Sequence, residues 1–321
     1  MDALLTKIHK MGIVSLISLE EEEDAIPVAQ ALMAGGLYCV EITFRTAAAE
    51  GSIKQIAKKF PEMLVGAGTV LTKEQVDKAI EAGAQFIVTP GLNIAIVEYC
   101  KEKGVPIIPG CMTASEVDKA TELGLEIIKF FPAEAAGGIE VVKAISGPFG
   151  KMKYMATGGI NLDNLNNYLD FKKMSACGGS WMVNKQWVKD KDFAEITKVA
   201  KESVKVMLGF KVKHIGINTK NATEADAVAD SFGDIFGFEK KVGSSSIFVS
   251  EGIEVMKEPY LGVNGHIAIE TRDIERAIFY LEQNGYKCDE KTAKYDKNKI
   301  MVAIYLENEV GGFAIHLLQK K

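Results

Sequence analysis

What most constrains this chain is a recurrence in its first part. Eight short apolar runs follow one another: IVSLIS (13–18), CVEITF (39–44), LVGAGTV (64–70), FIVTP (86–90), PIIPGC (106–111), IIKFFPA (127–133), KYMATGG (153–159) and SACGGSWMV (175–183). They recur roughly every 20–26 residues, the rhythm of βα units. Helix-period segments such as EDAIPVAQALMAGG and TKEQVDKAIEAGA lie between them. Runs that are apolar along their whole length belong to parallel strands covered on both faces. Eight units within about 185 residues fit a compact α/β fold, a (β/α)8 TIM barrel. An open doubly wound sheet is the alternative, but it usually has fewer strands.

The segment DFAEITKVAKESVKVMLG (192–209) reads as a closing helix that ends on glycine. The pattern then changes to two similar halves. VKHIGINT (212–219) is echoed by GHIAIET (265–271), and each is followed by a helical stretch ending in GF (237–238) or GY (285–286). Each half closes on strands, GIEVMK (252–257) and AIHLLQ (314–319). A repeat of about 50 residues marks paired supersecondary modules, and each half reads as βαβββ. The expected organisation is therefore a barrel over 1–209 and a smaller α+β domain over 210–321.

Composition excludes several classes of function. Hydrophobic residues make up 47% of the chain and charged residues 25%, which is ordinary for a chain with a sizeable core. A net charge of −5 offers no basic surface to nucleic acid or an anionic membrane. The acidic run Glu20–Asp24 reads as a solvated helix start. No apolar run reaches the ~18 residues of a membrane span. The opening MDALLTKIHKMG is too short and polar for a signal peptide. Cys39, Cys100, Cys111, Cys177 and Cys288 are odd in number and form no Cys-x-x-Cys pair, which points to a reducing cytoplasm.

Barrel enzymes place their chemistry at the C-terminal ends of the strands. The second run carries Glu41, Thr43 and Arg45 at alternate positions, hence on one face of a strand. The sixth places Lys129 between Ile127-Ile128 and Phe130-Phe131. An unpaired ammonium there is costly, and a neutral amine is the form that attacks a ketone carbonyl. Lys129 and Glu41 would make a catalytic pair, with Glu41 moving protons. The plain alternative is a buried structural ion pair. The seventh and eighth runs end in Thr157-Gly158-Gly159 and Gly178-Gly179-Ser180, glycine-hydroxyl loops where barrels often bind phosphate. Turn glycines are the alternative for either loop alone. Gly66-Ala67-Gly68, read as following the third strand, is an incomplete dinucleotide motif and is set aside.

The motifs VEITFRT (40–46), VGAGTVL (65–71), TPGL (89–92), IPG (108–110), IKFFPAE (128–134), ATGGI (156–160) and GGSWMV (178–183) run in order through the first 205 residues. With them this part resembles the 2-keto-3-deoxy-6-phosphogluconate (KDPG) and 4-hydroxy-2-oxoglutarate (KHG) aldolases. ATGGI replaces the commoner PTGGI and leaves the Thr and both glycines in place. The resemblance implies a class I aldolase with Lys129 as Schiff-base lysine and Glu41 as general acid/base. It implies Arg45 and Thr69 as holders of the keto-acid carboxylate, with Pro90 and Phe131 shaping the pocket. Thr157, Gly158, Gly159, Gly179 and Ser180 would receive a distal phosphate or carboxylate. The implied substrate is a small 2-keto acid cleaved to pyruvate and an aldehyde, the implied assembly a homotrimer, and no metal is needed. A barrel isomerase or epimerase using the same loops is the competing class, and would not need the Lys129/Glu41 pair.

In the second part, His214 and His266 occupy equivalent first strands, and His316 and Glu254 equivalent last strands. Three histidines and a carboxylate in a pseudo-symmetric set suit Zn, Fe, Ni, Co or Mn. This part resembles the glyoxalase/bleomycin-resistance/dioxygenase (vicinal oxygen chelate) superfamily, whose usual ligand order is His, Glu, His, Glu. His316 departs from it. A non-catalytic ligand-binding or assembly module is the alternative.

Overall fold

A computed structural model describes residues 3–320. One compact unit ends at Met207 and a second begins at Leu208. The first contains strands β1 (Ile13–Ile17), β2 (Cys39–Thr43), β3 (Leu64–Gly68), β4 (Phe86–Val88), β5 (Ile107–Ile108), β6 (Gly110–Cys111), β7 (Ile127–Phe130), β8 (Lys153–Thr157) and β9 (Met174–Gly179). They pair in the order β5-β4-β3-β2-β1-β9-β8-β7-β6, and every pairing is parallel.

The sheet closes through a proline. β5 and β6 are two halves of the fifth apolar run, interrupted at Pro109. Proline has no N–H to give to a ladder. Its carbonyl still accepts from Lys129 N (2.8 Å). The half before it pairs with β4 and the half after it with β7, so the eight apolar runs become eight staves of a barrel. The open-sheet alternative does not hold. Polar residues just past the strands start several helices: Thr72, Asn93 and Thr113 each accept from a backbone N–H of the helix that follows. Because all staves run the same way, their C-terminal ends gather at one rim.

The second unit has eight strands: β10 (Lys211–Asn218), β11 (Lys240–Val242), β12 (Ser246–Val249), β13 (Ile253–Met256), β14 (Gly265–Thr271), β15 (Cys288–Tyr295), β16 (Met301–Leu306) and β17 (Phe313–Gln319). Their order is β11-β12-β13-β10-β14-β17-β16-β15. In each half the first strand pairs in parallel with the last, and the two first strands pair antiparallel. This is the βαβββ repeat doubled about a pseudo-two-fold axis. The helix Ala222–Phe236 seats Ala225 and Ala229 on Ile247, Val249 and Val255 of its own module. No described helix is long and apolar enough to cross a membrane.

Candidate active site

Lys129 on β7 and Glu41 on β2 meet inside the barrel. The Lys129 Nζ donates to Glu41 Oε1 at 3.2 Å, and the side chains are 6% and 0% exposed. The strand pairings that frame them call for small residues. A Cβ on Gly68 would lie 2.1 Å from Glu41 Oε1, so the glycine makes room for the carboxylate. Gly66-Ala67-Gly68 lies within β3 and is fully buried, which removes the loop placement read from sequence.

The pair is only half satisfied. Glu41 Oε2 is buried and has no hydrogen-bond partner. Lys129 Nζ has three protons to give and no other acceptor among the described residues. A buried ion pair that serves stability alone needs its remaining lone pairs and protons satisfied. This one leaves an oxygen and an amine open to the barrel interior. The Phe131 ring adds a wall, its centroid 5.4 Å from Nζ.

The other expected residues lie at or just past the C-terminal ends of the staves. Thr69 directly follows β3 and holds a left-handed φ of 56°, an uncommon state for a threonine and a mark of a constrained site. Half-buried Pro90 lies beyond β4, its carbonyl oxygen 2.1 Å from where a Gly110 Cβ would stand. Phe131 follows β7 directly.

Two placements differ from the sequence reading. β2 ends at Thr43, so Arg45 lies in the turn beyond it, exposed, with its N–H on the Thr43 carbonyl (2.8 Å). The alternation carries only Glu41 and Thr43, because the chain must turn out of the barrel there. Likewise Thr157, Gly178 and Gly179 are strand residues, and only Gly158, Gly159 and Ser180 stand in the loops. The register pairs Lys129 with Met155, so Thr157, two residues on, shares the inward face. Its hydroxyl is buried without a partner.

The loop after β8 is polarised. Ala133 N donates to Thr157 O (2.8 Å), Glu134 N to Gly158 O (3.0 Å), and Asn164 Nδ2 to Gly159 O (3.0 Å). Gly158 and Gly159 take φ of 101° and 84°, open to glycine alone at little cost. The carbonyls of this loop are tied back, and the N–H groups of Gly158 and Gly159 are left without a partner among the described residues.

Residues 4–199 match the family described as KDPG and KHG aldolase. The chain belongs to that family. It is 41% identical over 207 residues to the 2-dehydro-3-deoxy-phosphogluconate aldolase of Treponema pallidum (strain Nichols), covering 64% of this chain and 99% of that protein. It is 43% identical over 192 residues to the KHG/KDPG aldolase of Escherichia coli (strain K12), covering 60% and 90%. The crystal structure of KDPG aldolase from Legionella pneumophila, with pyruvate captured at low pH as a covalent carbinolamine intermediate, superposes with TM-score 0.60 at 37% identity, covering 61% of this chain and 96% of that one. The barrel is that of a class I aldolase, a carbon–carbon lyase.

A second cluster forms within the C-terminal unit. The ladder sets His214 opposite Ala268 and Ala268 opposite His316. The neighbouring row sets Glu254 opposite Gly216 and Gly216 opposite His266. Small residues at the centre let the side chains fold together: a Cβ on Gly216 would lie 2.1 Å from the His266 ring. His214 Nε2 is 3.1 Å from His266 Nε2 and 3.1 Å from Glu254 Oε2, and His266 Nε2 is 3.2 Å from the same oxygen. One ring nitrogen from each of His214, His266 and His316 lies within 4.8 Å of those from the other two. Burial and the neighbouring His266 and His214 push His316 down to about 3, so it is neutral at pH 7.

Two residues at this cluster carried no sequence signal. Ser246 donates to Glu254 Oε1 (2.6 Å). Tyr305 stacks on His316, centroids 4.6 Å apart and planes at 11°. Burial opposes ionisation of Glu254, but hydrogen bonds with His214, His266 and Ser246 outweigh it and hold its carboxyl below the ordinary range.

Proposed function

We propose that Lys129 is the amine that attacks the C2 ketone of a 2-keto acid carrying a distal anion. The observation that supports this most directly is the half-satisfied buried pair, with a free Glu41 oxygen beside the amine. Attack gives a carbinolamine, and loss of water gives a protonated imine on Nζ. Glu41 removes the C4 hydroxyl proton as the C3–C4 bond breaks. That electron pair moves onto the imine nitrogen, the aldehyde departs, and an enamine remains. Protonation at C3 and hydrolysis release pyruvate and return Lys129. The imine is the electron sink, so the aldol step calls on no metal.

Arg45 and the strained Thr69 stand where the keto-acid carboxylate would arrive, with Pro90 and Phe131 as walls. Gly158, Gly159, Gly179 and Ser180 form the end that would take the distal phosphate of KDPG or carboxylate of KHG. Thr157 presents its hydroxyl inside that same end. The test is borohydride reduction with pyruvate, followed by pyruvate release from each substrate. A Lys129→Ala protein that traps label at full yield would remove the assignment. An isomerase or epimerase would give no adduct.

For the C-terminal unit we propose a divalent transition-metal site held by His214, His266, Glu254 and His316. Three lone-pair atoms converge at 3.1–3.2 Å, close to the ~3 Å between neighbouring ligands of one ion bound at roughly 2.0–2.2 Å. Hydrogen bonds alone do not satisfy the set, because both ring nitrogens of buried His316 lack partners. When bound, such an ion acts as a Lewis acid. The chain's part is to bring the three imidazoles together and, through Ser246, to fix one oxygen of Glu254. A metal-free ligand-binding module is the second reading, favoured by nothing in this geometry.

A further inference from the structure

The anion loop after β8 has an acidic neighbour. Glu134 follows the IKFFPA run, and its backbone N–H already holds the Gly158 carbonyl. Its Cβ lies 2.6 Å from where a side chain on Gly159 would begin. Glu134 is itself exposed. A mobile carboxylate on that stem could swing across the free N–H groups of Gly158 and Gly159. Beside a bound phosphate it would repel it, and like charges in contact are costly.

The structure shows what restrains it. The phenol of Tyr168 donates a hydrogen bond to Glu134 Oε1. Tyr168 belongs to the short helix Leu165–Leu169 and is 1% exposed, so its ring is fixed by packing. Burial, then the carboxylate itself, push that phenol above its ordinary range, and it remains a donor throughout the working pH range. Neither side chain belongs to the Lys129/Glu41 pair.

We propose that Tyr168 is a positioning residue: its hydroxyl holds the Glu134 carboxylate away from the anion site formed by Gly158 and Gly159. The inference rests on the anion-loop reading given above and adds a specificity device to it. A carboxylate parked beside the loop admits a phosphate only while the phenol holds it.

The experiment compares KM for 2-keto-3-deoxy-6-phosphogluconate with that for the same keto acid lacking the phosphate. Tyr168→Phe should raise KM for the phosphorylated substrate about tenfold, the effect of one partly screened charge contact, with kcat within about twofold. KM for the unphosphorylated substrate should hold. The double variant Tyr168→Phe/Glu134→Gln should recover the wild-type KM, because the released group is then neutral; a purely structural loss would not be rescued. An unchanged phosphorylated KM in Tyr168→Phe, an equal rise for both substrates, or no rescue by Glu134→Gln would each overturn the proposal. Wild-type protein with the same KM for both substrates would overturn the anion-loop reading and the proposal together. Pyruvate trapping on Lys129 needs no distal anion and should be unchanged in every variant. A thermal melt confirms folding.

Discussion

Lys129 and Glu41 are 88 positions apart in the chain and 3.2 Å apart in the barrel. Their contact is buried and incomplete, with Glu41 Oε2 unpartnered. Glu41→Gln keeps the shape and an acceptor for Nζ but cannot take the C4 proton. It should lower kcat by about 10²–10⁴, the usual worth of a positioned general base. A steady-state assay of pyruvate release checks it, and a loss under threefold would take Glu41 out of the proton path.

Gly159 tests the anion loop from a different direction. Alanine there must adopt a φ of 84° and place its Cβ 2.6 Å from Glu134 Cβ. The left-handed backbone costs roughly 1–2 kcal/mol, and the clash moves the loop as well. Gly159→Ala should raise KM for the phosphorylated substrate by more than about tenfold, while pyruvate trapping survives. Titration calorimetry with inorganic phosphate gives an independent reading.

Metal content decides the C-terminal proposal. Protein purified without a histidine tag, then reconstituted and dialysed, should hold close to one transition ion per chain. His266→Ala removes a ligand that touches both His214 and Glu254 and should abolish retention. Ser246→Ala removes only the bond that fixes Glu254 Oε1. It should weaken affinity about 10–100-fold, as loss of an outer-shell partner does. No stoichiometric metal in the reconstituted wild-type protein would end the proposal.

The cysteines give a chemical readout of packing. Burial pushes Cys100 to about 11 and Cys111 to about 12. Cys39 is raised further, by burial and then by Glu41. Half-buried Cys288 is pushed to about 11. The thiolate is the reactive form, so at pH 8 these four stay protonated and alkylate slowly in the native state. Cys288 should lead, and all five should react promptly in denaturant. Fast native labelling of Cys39 would show that the barrel opens.

Much of this was legible in the chain because strand chemistry is local. Apolar runs repeated at βα spacing fix a parallel sheet, and eight of them fix a barrel, since each run must be covered on both faces. The motif order carried the family, and the internal repeat carried the doubled βαβββ sheet. Lys129 was conspicuous for the same reason: a charge inside an apolar run needs an explanation wherever the run folds.

What the chain alone left open depends on distance between remote segments. Only closure at Pro109 brings β2 across from β7 and leaves one Glu41 oxygen without a partner. The end of β2 at Thr43, which moves Arg45 off the shared face, is set by where the chain leaves the barrel. Ser246 beside Glu254, Tyr305 on His316 and Tyr168 on Glu134 are ordinary serines and tyrosines in sequence. They gain their meaning from side-chain contacts that no periodicity records, because local pattern sets which face a residue occupies, and tertiary packing sets what stands opposite it.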